Sequence, residues 1–136
     1  MIKLIIGKKG SGKTKTLIEL VNNAINATKG AVVCIEKGDK LKFDINYQCR
    51  LIDTEEYLVS DGQSLYGFIA GILASNHDVT DIFIDSALKI CQNNIESFDL
   101  FLNELDSLVK NHEINCIITS SIATEEATDT MKKYVD

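Results

Sequence analysis

MIKLIIGKKGSGKTKTLIEL, Met1–Leu20, is the stretch on which the fold turns. Ile2 to Ile6 is a short apolar run rich in β-branched residues and closed by Gly7, so it predicts a buried strand. After Lys13 the period changes. Leu17, Leu20, Val21, Ala24 and Ile25 recur at steps of three and four, which predicts a helix with one apolar face, ending by Gly30. Between strand and helix stands GKKGSGKT, Gly7–Thr14, with three glycines and three lysines in eight residues.

Gly7, Gly12, Lys13 and Thr14 satisfy G-x-x-x-x-G-K-[ST], the phosphate-binding loop. Its chemistry requires these residue types. Glycines let backbone N–H groups of Lys8, Lys9, Gly10 and Ser11 approach an anion. The helix that follows points its positive end at the same place. Lys13 is placed to reach the outer phosphates, and Thr14 offers a hydroxyl to Mg²⁺. A strand before and a helix after make the pattern far more specific than the bare motif.

The remaining chain repeats the strand–helix alternation. AVVCIE (Ala31–Glu36), CRLID (Cys49–Asp53), DIFIDS (Asp81–Ser86) and INCIITSS (Ile114–Ser121) predict strands. Asp61 predicts a helix start, with Leu65, Phe68, Ile69, Ile72 and Leu73 inward as far as Ser75. Phe98–Lys110 predicts another helix, and Thr124–Tyr134 has helix potential. Lys37–Asp44 reads as a loop. Apolar runs this continuous, alternating with helices, predict a three-layer α/β/α fold on a mostly parallel sheet of four or five strands. At 136 residues the chain reads as one nucleotide-binding domain over residues 1–136.

Asp85 ends the apolar run DIFID and is the expected Mg²⁺ ligand, because ligands in open α/β sheets sit at the carboxyl ends of strands. Ser86 follows it, where many ATPases place a Glu. Glu36, at the end of AVVCIE, is therefore the expected group to polarise water. Thr119 and Ser120, at the end of CIITS, are candidates to sense the outer phosphate.

In this order and wording the chain resembles a RecA-type ATPase core over roughly residues 1–121. VVCIE is similar to the strand carrying the catalytic glutamate of that family. DIFIDSALKI is similar to its Walker B strand, down to Asp85 followed by Ser86, and INCIITSS to the next strand. The resemblance implies that Gly7–Thr14 bind the triphosphate, Asp85 serves Mg²⁺, Glu36 polarises water and Ser120 holds the sensor position, where RecA itself has a glutamine. It departs from the family after residue 121, where no strand pair and no basic stripe follow. Lys8 also matches an additional P-loop lysine of the MinD and ParA family, whose second glycine is replaced here by Lys9.

The expected function is Mg²⁺-dependent ATP binding with slow or partner-stimulated hydrolysis. The alternative is an ATP-operated switch that does not hydrolyse. A small-molecule kinase fits less well, since such enzymes use an arginine-rich lid and Arg50 is the only arginine. GTPase motifs D-x-x-G and N-K-x-D are missing. Net charge of −6 argues against a nucleic-acid partner. A protein partner or self-assembly would have to supply an arginine finger unless Arg50 does. No apolar run approaches the roughly 18 residues of a membrane span, and IKLII is too short for a signal peptide, so a cytoplasmic location is expected. Cys34, Cys49, Cys91 and Cys116 form no C-x-x-C pair and read as small apolar residues. His77 and His112 read as exposed loop residues.

Overall fold

Five parallel strands run side by side in the order β1-β5-β4-β2-β3. They are β1 (Ile2–Gly7), β2 (Ala31–Glu36), β3 (Arg50–Asp53), β4 (Val79–Ile84) and β5 (Asn115–Ser121). The computed structural model describes residues 1–135. Each strand is preceded or followed by helix or loop that returns the chain to the same end of the sheet, as parallel pairing demands. The helices are α1 (Lys13–Ala27), α2 (Gly62–Ser75), α3 (Ala87–Ile90), α4 (Ile95–His112) and α5 (Asp129–Lys132). Single 3₁₀ turns occupy Thr54–Tyr57 and Thr124–Glu126.

Both faces of the sheet are covered, and the residues divide by parity along each strand. Val32, Cys34 and Phe83 pack with Leu17 and Val21 of α1. Their neighbours Val33, Ile35, Ile82 and Ile84 pack on the opposite face with α2 and α4, through residues such as Leu65, Ile69, Phe98 and Leu102. This makes three layers and explains why the strand runs read as uninterrupted apolar sequence. The α1 layer is completed by loop residues Leu41, Ile45 and Cys49, which are buried against it.

Local capping follows the sequence. Asp61 caps α2 by accepting from the Ser64 N–H at 2.7 Å, and the Ser64 hydroxyl oxygen accepts in return from the Asp61 N–H. Asn94 caps α4 through Ser97 N–H. Gly62 allows the start of α2 to press on α4. A Cβ there would lie 2.4 Å from the Ser97 carbonyl oxygen.

Several boundaries differ from the sequence reading: β3 starts at Arg50, β5 at Asn115, and α4 runs from Ile95 to His112. β4 begins at Val79 and ends at Ile84, so Asp85 sits one residue beyond the strand rather than within it. The tail forms a 3₁₀ turn and the single turn α5 in place of one continuous helix. After α5, Tyr134 accepts from the Leu4 N–H at 2.8 Å, and Val135 bridges to Leu4 on the outer edge of β1. All four cysteines are buried free thiols. His77 and His112 are exposed. Among the described residues no helix is long and apolar enough to cross a membrane.

Candidate functional site

Parallel pairing brings the ends of β1, β2, β3 and β5 to one rim. Gly7 lies beside Ser121, and Glu36 lies beside Asp53. Asp85 follows β4 at that rim, its N–H donating to the Ile35 carbonyl at 2.9 Å. Gly7–Thr14 wraps from this rim into α1. Gly12 sits ahead of the helix at φ 87°, a left-handed conformation that glycine takes without strain. Space at Gly7 is tight: a Cβ there would stand 2.6 Å from Ser11 Oγ, so the hydroxyl would have to turn away.

Within the loop, Lys13 Nζ donates to the Lys8 carbonyl at 2.9 Å and to Ser11 Oγ at 3.3 Å. Lys13 is 9% exposed. Burial lowers its pKa from the usual lysine range, and the charge of Asp85 partly opposes that shift. The ammonium is held against its loop by these two bonds, and an anionic partner would favour its charged form.

Asp85 is the hub. Thr14 Oγ1 donates to its Oδ1 at 3.2 Å across 71 residues of sequence, and Thr119 Oγ1 donates to the same oxygen at 2.8 Å. The Ser86 N–H donates to Thr119 Oγ1 at 2.8 Å. Ser86 itself stands in the left-handed region at φ 55°, which turns the chain sharply out of the sheet into α3. The hydroxyl and carboxylate expected to hold Mg²⁺ are thus brought together. Both are hard oxygen donors, and two such protein groups suit an ion that keeps waters and phosphate oxygens as its other ligands. Among the described residues no cluster of three or more His, Cys, Asp or Glu forms a metal cage.

Thr119 and Ser120 part company because β5 alternates. Thr119 faces the α1 layer and meets Asp85. Ser120 is fully buried on the other side, where its Oγ accepts from the Leu88 N–H at 3.3 Å. Ser120 therefore holds the first turn of α3 and does not line the cleft, whereas Ser121 does.

Glu36 is 3% exposed. Its two oxygens accept from the Lys40 and Leu41 N–H groups, each at 3.1 Å. Burial raises its pKa. Those two N–H groups pull it down, and the charges of Asp85 and Asp53 push it up again. Asp53, which the sequence did not single out, accepts from the Gly38 N–H at 2.7 Å. Two strand-end carboxylates thus fix the backbone of residues 38–41.

The loop, α1, residues 40–41 and α3 enclose a cleft of about 600 Å³. Lys9, Lys13, Lys15, Lys40 and Lys89 line it, and Asp85 is the one carboxylate among the lining residues. Five lysines against one aspartate stand out in a chain of net charge −6. Lys89 has its pKa lowered chiefly by the neighbouring Lys40 charge, with Lys37 and Lys9 adding to it. Lys40 and Lys89 escaped the sequence reading. Arg50 opens β3 opposite Val33, three residues short of the rim pair Glu36–Asp53, and is exposed away from the cleft.

No model of a known protein family matches the chain. No curated protein matches it significantly either.

Proposed function

We propose that this chain is a Mg²⁺-dependent ATP-binding protein of RecA-like P-loop design, turning ATP over slowly or only with a partner. The meeting of Thr14 and Asp85 at the mouth of GKKGSGKT carries this reading. A glycine-rich basic turn without function has no reason to aim a helix N-terminus, a loop-bound lysine and a partly buried carboxylate–hydroxyl pair at one cleft. The all-parallel sheet, with its ligand rim at the carboxyl ends, supports it further.

In this reading the loop N–H groups and the start of α1 receive the phosphates. Lys13 exchanges the Lys8 carbonyl for phosphate oxygens. Thr14 and Asp85 would hold Mg²⁺, which neutralises phosphate charge when bound. Thr119 and the Ser86 N–H keep the Asp85 carboxylate oriented. Glu36, at the end of β2, stays the candidate to orient water, although it does not line the cleft itself.

A second reading has its own observation. Both Glu36 oxygens are engaged by the loop it opens, so the carboxylate serves as a latch for residues 40–41. An ATP-operated switch, in which the loop answers to the nucleotide, fits that use better than hydrolysis. Calorimetric titration with ATP, with and without Mg²⁺, tests the shared claim on wild type and Lys13→Ala. Phosphate release in the same samples separates the two readings. Mg²⁺-dependent binding lost in Lys13→Ala supports the proposal, and no binding by wild type sinks it. Sustained release that needs Glu36 favours the ATPase; binding without release favours the switch.

A further inference from the structure

A nucleoside triphosphate needs cations at its outer end, and the P-loop lysine supplies one. Nucleotide hydrolases of this kind commonly add an arginine. Here the lone arginine lies away from the cleft, at the start of β3. Two lysines occupy the cleft wall facing the P-loop: Lys40 from the β2–β3 loop and Lys89 from α3.

Both are mounted on strained or braced backbone. Lys40 follows Gly38, which takes a left-handed φ of 98° while donating to Asp53. The Lys40 N–H is held by Glu36 at 3.1 Å. Lys89 rides on a helix of four residues. Left-handed non-glycine residues frame that helix, Ser86 before it and Gln92 and Asn93 after it. Strain of this kind persists where the surroundings enforce it. The enforcement comes from β5, because Thr119 accepts from the Ser86 N–H and Ser120 from the Leu88 N–H. Five lysines line the cleft against one carboxylate, and among the described residues neither Lys40 nor Lys89 makes a salt bridge. By contrast Lys42, two residues from Lys40, pairs with Asp39 at 3.4 Å and lies outside the cleft.

We propose that Lys40 and Lys89 form a two-lysine clamp for the terminal phosphate of the nucleotide, with Glu36, Asp53 and Ser120 as the positioning residues that aim it. This rests on the nucleotide reading above. A dianionic terminal phosphate held by both ammonium groups would relieve the repulsion between Lys40 and Lys89. The clamp distinguishes ATP from ADP, because only ATP carries the group it grips. It also supplies within the chain the charge that an arginine from a partner would bring.

The test is calorimetry on the full chain with MgATP and MgADP. Wild type is compared with Lys40→Ala, Lys89→Ala, the double variant, and Lys42→Ala as a control for net charge. Both clamp side chains are exposed, and a thermal melt checks that the variants fold. In the double variant MgATP affinity should fall at least about tenfold and MgADP affinity less than about twofold. Lys42→Ala should leave the ATP-to-ADP ratio unchanged. An unchanged ratio in the double variant, or equal weakening of both nucleotides, overturns the clamp while leaving the nucleotide site standing. Lack of binding by wild type overturns both. If wild type binds and Lys13→Ala does not, the site is secure and the ratio alone decides the clamp.

Discussion

Replacing Glu36 by Gln tests whether its carboxylate is a latch. In the folded chain one oxygen accepts from the Lys40 N–H and the other from the Leu41 N–H, both at 3.1 Å. Gln keeps one acceptor and turns an NH₂ group toward the second N–H. A buried donor left without a partner costs about 1–3 kcal/mol. Removing a charge from a side chain 3% exposed offsets part of that. The net loss is expected at about 1–2 kcal/mol, or about 3–6 °C in Tm for a chain of this length. The pH dependence has a definite sign. Burial raises the Glu36 pKa, so the folded chain holds this proton more tightly than the unfolded one. Its contribution is fully present below the ordinary carboxylate pKa and fades as pH rises through the raised value. The wild-type advantage over Glu36→Gln is therefore larger near about pH 4 than near about pH 7. Thermal melts at both pH values and hydrogen exchange at the Leu41 amide measure this. Equal melting temperatures, with Leu41 exchange unchanged, would refute the latch.

Three further outcomes are expected. Gly62→Ala forces a Cβ to within 2.4 Å of the Ser97 carbonyl oxygen. It should destabilise the α2–α4 contact by about 1–3 kcal/mol in denaturant titration while leaving nucleotide affinity of the folded protein intact. Thr119→Val removes the hydroxyl shared by Asp85 and the Ser86 N–H. Calorimetry should show a weaker Mg²⁺ enhancement of ATP binding and unchanged metal-free affinity. Burial pushes the Cys49 and Cys91 thiols up to about 11 and Cys116 up to about 12. Iodoacetamide at about pH 8 should therefore leave the folded chain nearly unmodified and label all four cysteines after denaturation, as mass spectrometry would count.

Local features were legible in the sequence. Gly7–Thr14, its strand and its helix are contiguous, and Asp61 announces α2 by a capping pair three residues apart. Asp85 was also readable, since an apolar run closing in a carboxylate needs no tertiary knowledge. What escaped depends on parity and return. Thr119 lies on the same sheet face as Ile117, which packs in the α1 layer with Phe83, and Ser120 lies on the other. Alternation along CIITS would have separated the two residues once the α1 face was known. Nothing local in AVVCIE says that residues 40–41 fold back onto Glu36. Helix α3 is four residues long, too short for any periodicity, and its left-handed flanks carry serine, glutamine and asparagine where glycine would have signalled a turn. Lys40 and Lys89 were invisible for the same reason: one sits on the returning loop and the other on that helix.

The strand order has a consequence for how the chain acquires its structure. The strand that launches the phosphate loop finds its sheet partner in β5, and Ile2 must wait for Cys116. Among the described residues, its other edge meets Tyr134 and Val135. β1 can take its place in the sheet only once β5 is available to pair with it. Contacts this far apart in sequence slow folding, because a long segment must be closed before they form. By contrast β2 pairs with β3 and β4 over shorter stretches of sequence.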